Sequence, residues 1–417
     1  MERPHTGQLP GPLRAAARAI AERLRAAGQR GWMVGGVVRD LAVGRVPVDV
    51  DMVSAARPEV VERLFEHTLA VGRAFGVVSV RLGSVDIELA TFRSESGYAD
   101  ARRPDQVLYG SSVEEDARRR DFTCNALFLD PLTDELADPT GGLADLDARV
   151  LRTVGDAAER FAEDGLRLLR MARFEAALDL APAEGLHAAA RGAVAALAGV
   201  SAERVLEELT RIFDGPCCAR AVAVLGECGL LEQLLPLRAA ALGGADPRHA
   251  ERLAALEHLP APPGVALALA VLLELEDDGR ALEQADALRV SRDLRRALAE
   301  LWDRLRRVRA LDGDPVARAR ALRGAAGPQA LVLARAWAAA RGEPDAPLAA
   351  LAAWRARARD AELEPPRLLD GDDLQALGVE RGPRIGALLA ELEAEQLRGR
   401  VRSRAEAERF LRESGLL

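Results

Sequence analysis

Asp49 and Asp51 stand one residue apart in the apolar run VDVDMV of residues 48–53. In an extended segment, residues i and i+2 point to the same face, so the two carboxylates converge. Such a pair can hold hard divalent cations, which prefer oxygen ligands and usually work on phosphates. Upstream, Gly35 and Gly36 follow a short apolar stretch, and Arg39 comes three residues after Gly36. A glycine pair behind a strand lets the backbone approach a phosphate closely, and an arginine there pairs with its oxygens. A lone glycine pair is usually a plain strand-to-helix turn, and a bare DxD is common on solvated surfaces. Coupled at this spacing, they suggest an enzyme that handles a nucleoside triphosphate through magnesium.

Three further segments carry chemistry. Asp86 and Glu88 alternate in VDIELATFR and face one side of their strand, so either offers a third carboxylate, of which Glu88 is favoured; a cross-strand ion pair with an arginine is the competing reading. Arg118-Arg119-Arg120-Asp121 is an arginine run of the kind that usually forms a solvated helix face. In EDGLRLLRMAR, residues 163–173, helical spacing places Asp164, Arg167, Arg170 and Arg173 along one helix face. On a plain helix this is an ion-pair ladder. A carboxylate only accepts hydrogen bonds and a guanidinium only donates them. An Asp164–Arg167 pair therefore complements the amino group and ring nitrogen that cytosine and adenine both present. Uracil and guanine place a carbonyl against the carboxylate.

The order GGVVRD, VDVDMVSA, RRDFTCNAL and EDGLR resembles the nucleotidyltransferase signature of bacterial class II tRNA nucleotidyltransferases, the CCA-adding enzymes, and their poly(A) polymerase relatives. The resemblance covers about residues 30–215. It implies that Asp49 and Asp51 bind Mg2+ and are catalytic together with Glu88, in two-metal attack of an RNA 3′-hydroxyl on the α-phosphate. It further implies that Gly35, Gly36, Arg39, Arg120, Asp121, Asp164, Arg167, Arg170 and Arg173 bind the nucleotide. Within that set, Arg120 contacts the nucleotide, Asp121 accepts from a ribose hydroxyl, Asp164 and Arg167 select C and A, and Arg170 and Arg173 reach the phosphates. Asn125 braces its turn. Asp138-Pro139 with Gly141-Gly142 resembles a hinge after the catalytic head, and Ser201 to Arg204 resembles the start of a helix that buttresses the neck.

These residues need a small sheet with helices to position them. Expected elements are a helix over 13–29, a strand at 32–34 and a helix from Val37 to Val43. They continue with a strand at 48–53, a helix over 58–67, a hairpin of 77–82 and 85–92 turning at Gly83-Ser84, a helix over 114–120 and a strand at 126–129. After residue 150 strand signals stop, and helices of ten to twenty residues broken by Gly and Pro fill the rest. The fold class is thus an α+β head, a small mixed sheet with helices, followed by all-α regions. The expected division is 1–150 catalytic head, 151–215 neck, 216–345 body and 346–417 tail, the last a possible tRNA contact.

Composition sets the bounds. The chain has 417 residues, 49% of them hydrophobic and only 4% aromatic, so several helix-rich cores are affordable. All 57 basic residues are arginine, a bias of codon usage rather than of function. A net charge of -8 shows no global basic footprint for nucleic acid, although a total hides local stripes. One such stripe runs through Arg292, Arg295, Arg296, Arg304, Arg306, Arg307 and Arg309, and a Gly-rich basic turn lies at Gly378, Arg381, Gly382, Arg384 and Gly386. Cys124, Cys217, Cys218 and Cys228 fit neither a zinc site nor a disulfide framework, so no zinc is expected. No apolar run is long enough to span a membrane and no signal segment stands at the N-terminus, which predicts a cytoplasmic protein without a membrane partner.

The expected partners are the tRNA 3′ end, CTP and ATP. The full-length look of the polar loop 93–112 argues against CC-only addition, since the resemblance ties a shortened loop to that activity. A-only addition stays open. Poly(A) synthesis ranks lower because only Arg73 and Arg81 flank the strand near residue 77. A noncatalytic RNA-binding relative ranks last, because Asp49, Asp51 and Arg120 are all present.

Overall fold

The computed structural model describes residues 3–72, 76–94, 108–109, 112–237, 248–275, 278–311 and 313–414. They form two compact units, one made of Met1–Leu209 with Arg220–Leu234, the other of Thr210–Ala219 with Leu235–Leu417.

The first unit opens with helix α1 (Gly11–Ala26), whose Ala17, Ile20, Ala21 and Leu24 recur at helical spacing and are buried. It packs over strand β1 (Gly31–Val34), where a side chain on Gly31 would collide with Leu24. Helix α2 (Gly36–Ala42) leads to β2 (Asp51–Ser54), and α3 (Pro58–Leu64) to β3 (Thr68–Gly72). Strands β4 (Val77–Leu82) and β5 (Val85–Thr91) are the expected hairpin, in register from Val77↔Ala90 to Leu82↔Val85. Two short strands, β6 (Arg93–Ser94) and β7 (Leu108–Tyr109), pair with each other. Helix α4 (Val113–Arg118), β8 (Phe128–Leu129), β9 (Leu136–Ala137) and α5 (Gly142–Asp147) follow. The main sheet runs β3-β4-β5-β2-β1-β8-β9.

The sheet is mixed at one decisive place. β2 pairs with β1 antiparallel but with β5 parallel, in the register Asp51↔Glu88. Trp32, Val34, Val53, Ala126 and Phe128 bury one face of it against Val113, Ala117 and Val154. Asp51 and Glu88 are exposed, and Val50, Met52, Ile87 and Leu89 beside them are buried. The apolar alternation thus anchors the strands and turns the carboxylates outward.

Beyond the head come β10 (Val150–Leu151), α6 (Ala157–Glu163), α7 (Leu166–Leu178), β11 (Ala181–Pro182), α8 (Leu186–Gly192) and α9 (Ala202–Phe213). Two expectations need correction. The helix predicted over 58–67 stops at Leu64, and after an irregular turn of residues 65–67 the chain enters β3, an added edge strand. Strand pairing also does not end at residue 150, because β10 and β11 form a short parallel pair. Arg73 and most of the polar loop, residues 95–107 and 110–111, lie outside the described residues.

The described part of the second unit is helical, with Trp302 and Trp337 fully buried and a separate apolar cluster of Leu369, Leu374, Leu388, Leu392, Val401 and Leu411. Its basic stripe is an ion-paired helix, Arg292–Arg309. Arg295 meets Asp286, Arg306 meets Asp278, Arg309 meets Glu274, and Arg296, Arg304 and Arg307 pair along the helix itself. At the C-terminal glycines, Gly382 has an extended backbone and Gly386 lies inside the helix Pro383–Leu397. No helix of the described residues is long and apolar enough to cross a membrane.

Candidate active site

Gly35 sits at the N-cap of α2 with φ of 74°, a conformation that only glycine adopts without strain. A Cβ there would come within 3.2 Å of Arg120 Nη1, so this turn and Arg120 share one wall. Arg120 is held from behind, its Nε and Nη2 at 3.0 and 2.8 Å from Asp116 Oδ2. Asp116 is fully buried, and Arg119 grips its other oxygen. Burial pushes the Asp116 carboxyl up, but Arg120 and Arg119 outweigh it and hold its pKa below the usual range. Arg119 and Arg120 are therefore a preorganised wall, while Arg118 stays exposed.

Asp51 faces the same space. Solvent reaches its carboxylate, yet the surrounding protein is dense enough that desolvation is the first cause of its raised pKa. The negative charges of Asp49 and Glu88 add to the effect, Arg120 opposes it, and the result is pushed up to about 6. Asp49 precedes the strand, separated from Asp51 by the buried Val50. Asp86 goes elsewhere, clasped by Arg81 in two hydrogen bonds of 2.7 Å. The cross-strand ion pair thus falls to Asp86, and Glu88 is the carboxylate that stands beside Asp51.

Among the described residues no three His, Cys, Asp or Glu groups converge tightly enough to hold a metal by themselves. Two or three hard oxygen donors on and beside neighbouring strands, with Asp49 and Glu88 raising the proton affinity of Asp51, still fit a magnesium ion. That ion typically takes one or two carboxylates and completes its shell with water and substrate phosphates.

The third component is a chain of polar contacts ending on α7. Arg39 binds Asp40 through Nε and Nη2, and its Nη1 donates to Asn125 Oδ1 at 2.7 Å. Asn125, in a short 3-10 turn of residues 123–125, donates to Asp121 Oδ1 at 3.1 Å. Asp121 Oδ2 accepts from Arg170 Nε at 2.7 Å and pairs with its Nη2 at 2.6 Å. Arg173 in turn meets the buried Glu208. Arg39, Arg170 and Arg173 all lie over the ring of Phe174, at 5.2, 5.3 and 4.3 Å from its centroid. Phe174 is itself wedged edge-on against Phe122.

Two sequence readings change here. Asp121 does not offer a free acceptor, since Arg170 takes two of its positions while Asn125 and the Phe122 N–H take the others. Burial raises its pKa, but Arg170 and these donors outweigh burial and hold the carboxyl below its ordinary value. A ribose hydroxyl reaches it only by displacing one of them. The second correction concerns Asp164, which is not on the helix face of Arg167 and Arg170. α6 ends at Glu163 and α7 begins at Leu166, and Asp164 lies extended between them with Oδ1 accepting the Leu166 N–H at 3.0 Å. The break lies at Asp164 itself, whose backbone is extended while Gly165 is helical, and Gly165 admits no side chain because a Cβ would stand 2.5 Å from the Ala196 carbonyl oxygen. Arg167 is buried and donates to Glu163 Oε2, the Arg160 carbonyl and the Arg119 carbonyl. Asp164 Oδ2 instead accepts from Arg204 at 2.8 Å. Asp116, Gly165, Phe174, Arg204 and Glu208 were not singled out as site residues from sequence. Only Gly165 carried a local signal, a helix breaker inside an otherwise periodic segment.

Residues 31–152 match the model of the poly A polymerase head domain, and residues 179–242 that of the probable RNA and SrmB-binding site of polymerase A. The CCA-adding enzyme of Geobacillus kaustophilus is 40% identical over 223 residues, 54% of this chain and 55% of that enzyme, so the match spans about half the length of the curated relative. The crystal structure of the Bacillus stearothermophilus CCA-adding enzyme in complex with CTP superposes with a TM-score of 0.78 at 26% identity, covering 97% of this chain and 99% of that one. The Thermotoga maritima CCA-adding enzyme complexed with tRNA shares the fold, with a TM-score of 0.68 at 22% identity over 96% and 95% of the two chains. The glycine turn, the carboxylates and the arginine wall of the site all lie within residues 31–152 or next to them, the stretch that is similar to the poly A polymerase head domain.

Proposed function

We propose that this chain adds C and A nucleotides to the 3′ end of tRNA, taking CMP and AMP from CTP and ATP and releasing pyrophosphate. The observation that carries the reading is the parallel register Asp51↔Glu88, which sets an unpaired carboxylate edge beside the Gly35 turn and Arg120. Similarity to CCA-adding enzymes, one of them solved with CTP, supports the choice of reaction.

In this reading Asp49 and Asp51 hold Mg2+, with Glu88 beside them. When bound, the metal pair supplies charge neutralisation and lowers the proton affinity of the attacking hydroxyl. The chain's own groups do the rest. The Gly35–Gly36 turn admits the triphosphate close to backbone, and Arg39, Arg170 and Arg173 present guanidinium donors to its oxygens. Arg120 lies between that wall and Asp51. Asp164 accepts from the amino group that C carries at C4 and A at C6, where U and G carry a carbonyl. Arg167 completes the base contact on exchanging Glu163 for the ring nitrogen. Asp121 acts by aiming Arg170. The division into head 1–150, neck 151–215, body 216–345 and tail 346–417 assigns chemistry to the first two and tRNA grip to the others. A cytoplasmic location follows from that substrate.

Labelled CTP and ATP supplied with tRNAs ending at the discriminator base, at C and at CC test the proposal. Transfer to all three ends is expected. Transfer of A to the CC end alone would replace CCA synthesis with A addition, and untemplated A runs on unrelated RNA would replace it with poly(A) synthesis.

A further inference from the structure

Arg204 stands near the start of α9, where the Ser201 hydroxyl accepts its N–H at 3.5 Å. Its Nη2 donates at 2.8 Å to Asp164, a residue 40 positions away in the sequence. The Asp164 carboxylate is thus held by two donors of unlike character. The Leu166 N–H is a fixed backbone donor at the start of α7, whereas Arg204 is a long side chain reaching in from another helix. The two partners of the ion pair remain 46% and 30% exposed, so water reaches both and the pair opens at little cost. Arg167, by contrast, is buried and committed to Glu163 and two backbone carbonyls.

We propose that Arg204 is a specificity-determining positioning residue that holds the place of the base amino group on Asp164. This rests on the reading of Asp164 as the base-selecting carboxylate. A guanidinium N–H and an exocyclic amino N–H are both pure donors, so they compete for the same oxygen. Cytosine and adenine displace Arg204 and give Oδ2 an equivalent hydrogen bond. Uracil and guanine bring a carbonyl, which cannot replace the donor and leaves two acceptors facing each other. Arg204 therefore acts twice. It keeps the carboxylate aimed before the nucleotide arrives, and it makes displacement conditional on a donor. A structural cap at this position would do neither.

The test compares steady-state incorporation of CTP and UTP, at saturating tRNA, by the wild type and by Arg204→Leu, Arg204→Gln, Arg204→Lys and Asp164→Ala, each with its thermal unfolding recorded. The C-over-U ratio of kcat/KM is expected to fall about threefold in Arg204→Leu and Arg204→Gln, the scale of one partly exposed ion pair left unreplaced. Most of that change should come through a lower KM for UTP. Arg204→Lys, which keeps a cationic donor, should recover most of the ratio. An unchanged ratio in both Arg204→Leu and Arg204→Gln, with Asp164→Ala collapsing it, overturns the role of Arg204 and leaves base selection by Asp164 intact. An unchanged ratio in Asp164→Ala removes the base-selecting reading itself and Arg204's role with it.

Discussion

Asp49, Asp51 and Glu88 gather negative charge on and beside two neighbouring strands, with no counter-ion in hydrogen-bond contact among the described residues, and desolvation together with this charge pushes the Asp51 carboxyl up to about 6. Arg39, Arg120, Arg167, Arg170 and Arg173 gather positive charge a short distance away, yet each meets a carboxylate: Asp40, Asp116, Glu163, Asp121 and Glu208 respectively. The two regions hold their charge in opposite ways. The carboxylate edge stores repulsion that a cation relieves, so ligand binding there gains free energy that folding forgoes. The guanidinium wall is compensated during folding, so its arginines are rigid and aimed, and a triphosphate must share them with their internal partners. One region is available and the other is preorganised.

That contrast predicts different failures. Asp49→Ala and Asp51→Ala should lower nucleotide incorporation by about a thousandfold or more, several kcal/mol of transition-state stabilisation. Their unfolding temperature in metal-free buffer should not fall, since each removes a repulsive charge. A large loss of stability in either variant would mean that the edge is structural.

On the other side, Asp121→Asn should cost stability first. It leaves Arg170 buried against an amide and sets an amide donor against either Arg170 or the Phe122 N–H, a defect worth about 3–5 kcal/mol at pH 7. The sign of its pH dependence is fixed by the depressed carboxyl pKa. Such a group adds stability above its unfolded value of about 3.9 and loses that contribution as pH falls through the lower folded value. The gap between wild type and Asp121→Asn in urea unfolding should therefore be full at pH 6–7 and close progressively below about pH 4. A gap independent of pH would show that the carboxylate's charge is not what holds Arg170.

The same contrast explains what the sequence could tell. Asp49, Asp51, Gly35 and Gly36 were legible because their chemistry is local, with period-two alternation for the aspartates and a required positive φ for Gly35. Glu88 is favoured only through the family resemblance, because a parallel pairing between β2 and β5 joins residues 37 apart with a hairpin and a helix between them, and no local pattern sets that register. The basic wall misled for a related reason. Helical spacing in EDGLRLLR aligns Asp164 with Arg167 only if one helix runs through both, and the extended backbone of Asp164, whose side chain accepts the Leu166 N–H, ends one helix and starts the next. The counter-ions Asp116 and Glu208 are single acidic residues in acid-rich helices, and nothing in their spacing distinguishes them from a solvated face.

Phe174→Leu sharpens the comparison at the next level of effect. The ring carries three guanidiniums on its π face and edges, and leucine keeps the apolar volume while removing the quadrupole. The expected loss is about 1–2 kcal/mol of stability and a severalfold rise in the KM for CTP, read from denaturant melts and initial rates. A KM unchanged within error would assign the clustering to the ion pairs alone.

The smallest effect divides the two carboxylates of β5. Asp86 is bound to Arg81 at the surface, with their side chains 50% and 64% exposed, whereas Glu88 has no such partner and lies opposite Asp51. Solvent screens an exposed pair of this kind, so it contributes little. Asp86→Ala should therefore leave both the unfolding midpoint and incorporation rates at wild-type level. Glu88→Gln, nearly isosteric, should slow incorporation by about tenfold, because it removes one of the charges acting on Asp51. If instead Asp86→Ala slows the reaction and Glu88→Gln does not, the third carboxylate is Asp86, and the register that places Glu88 beside Asp51 has no catalytic meaning.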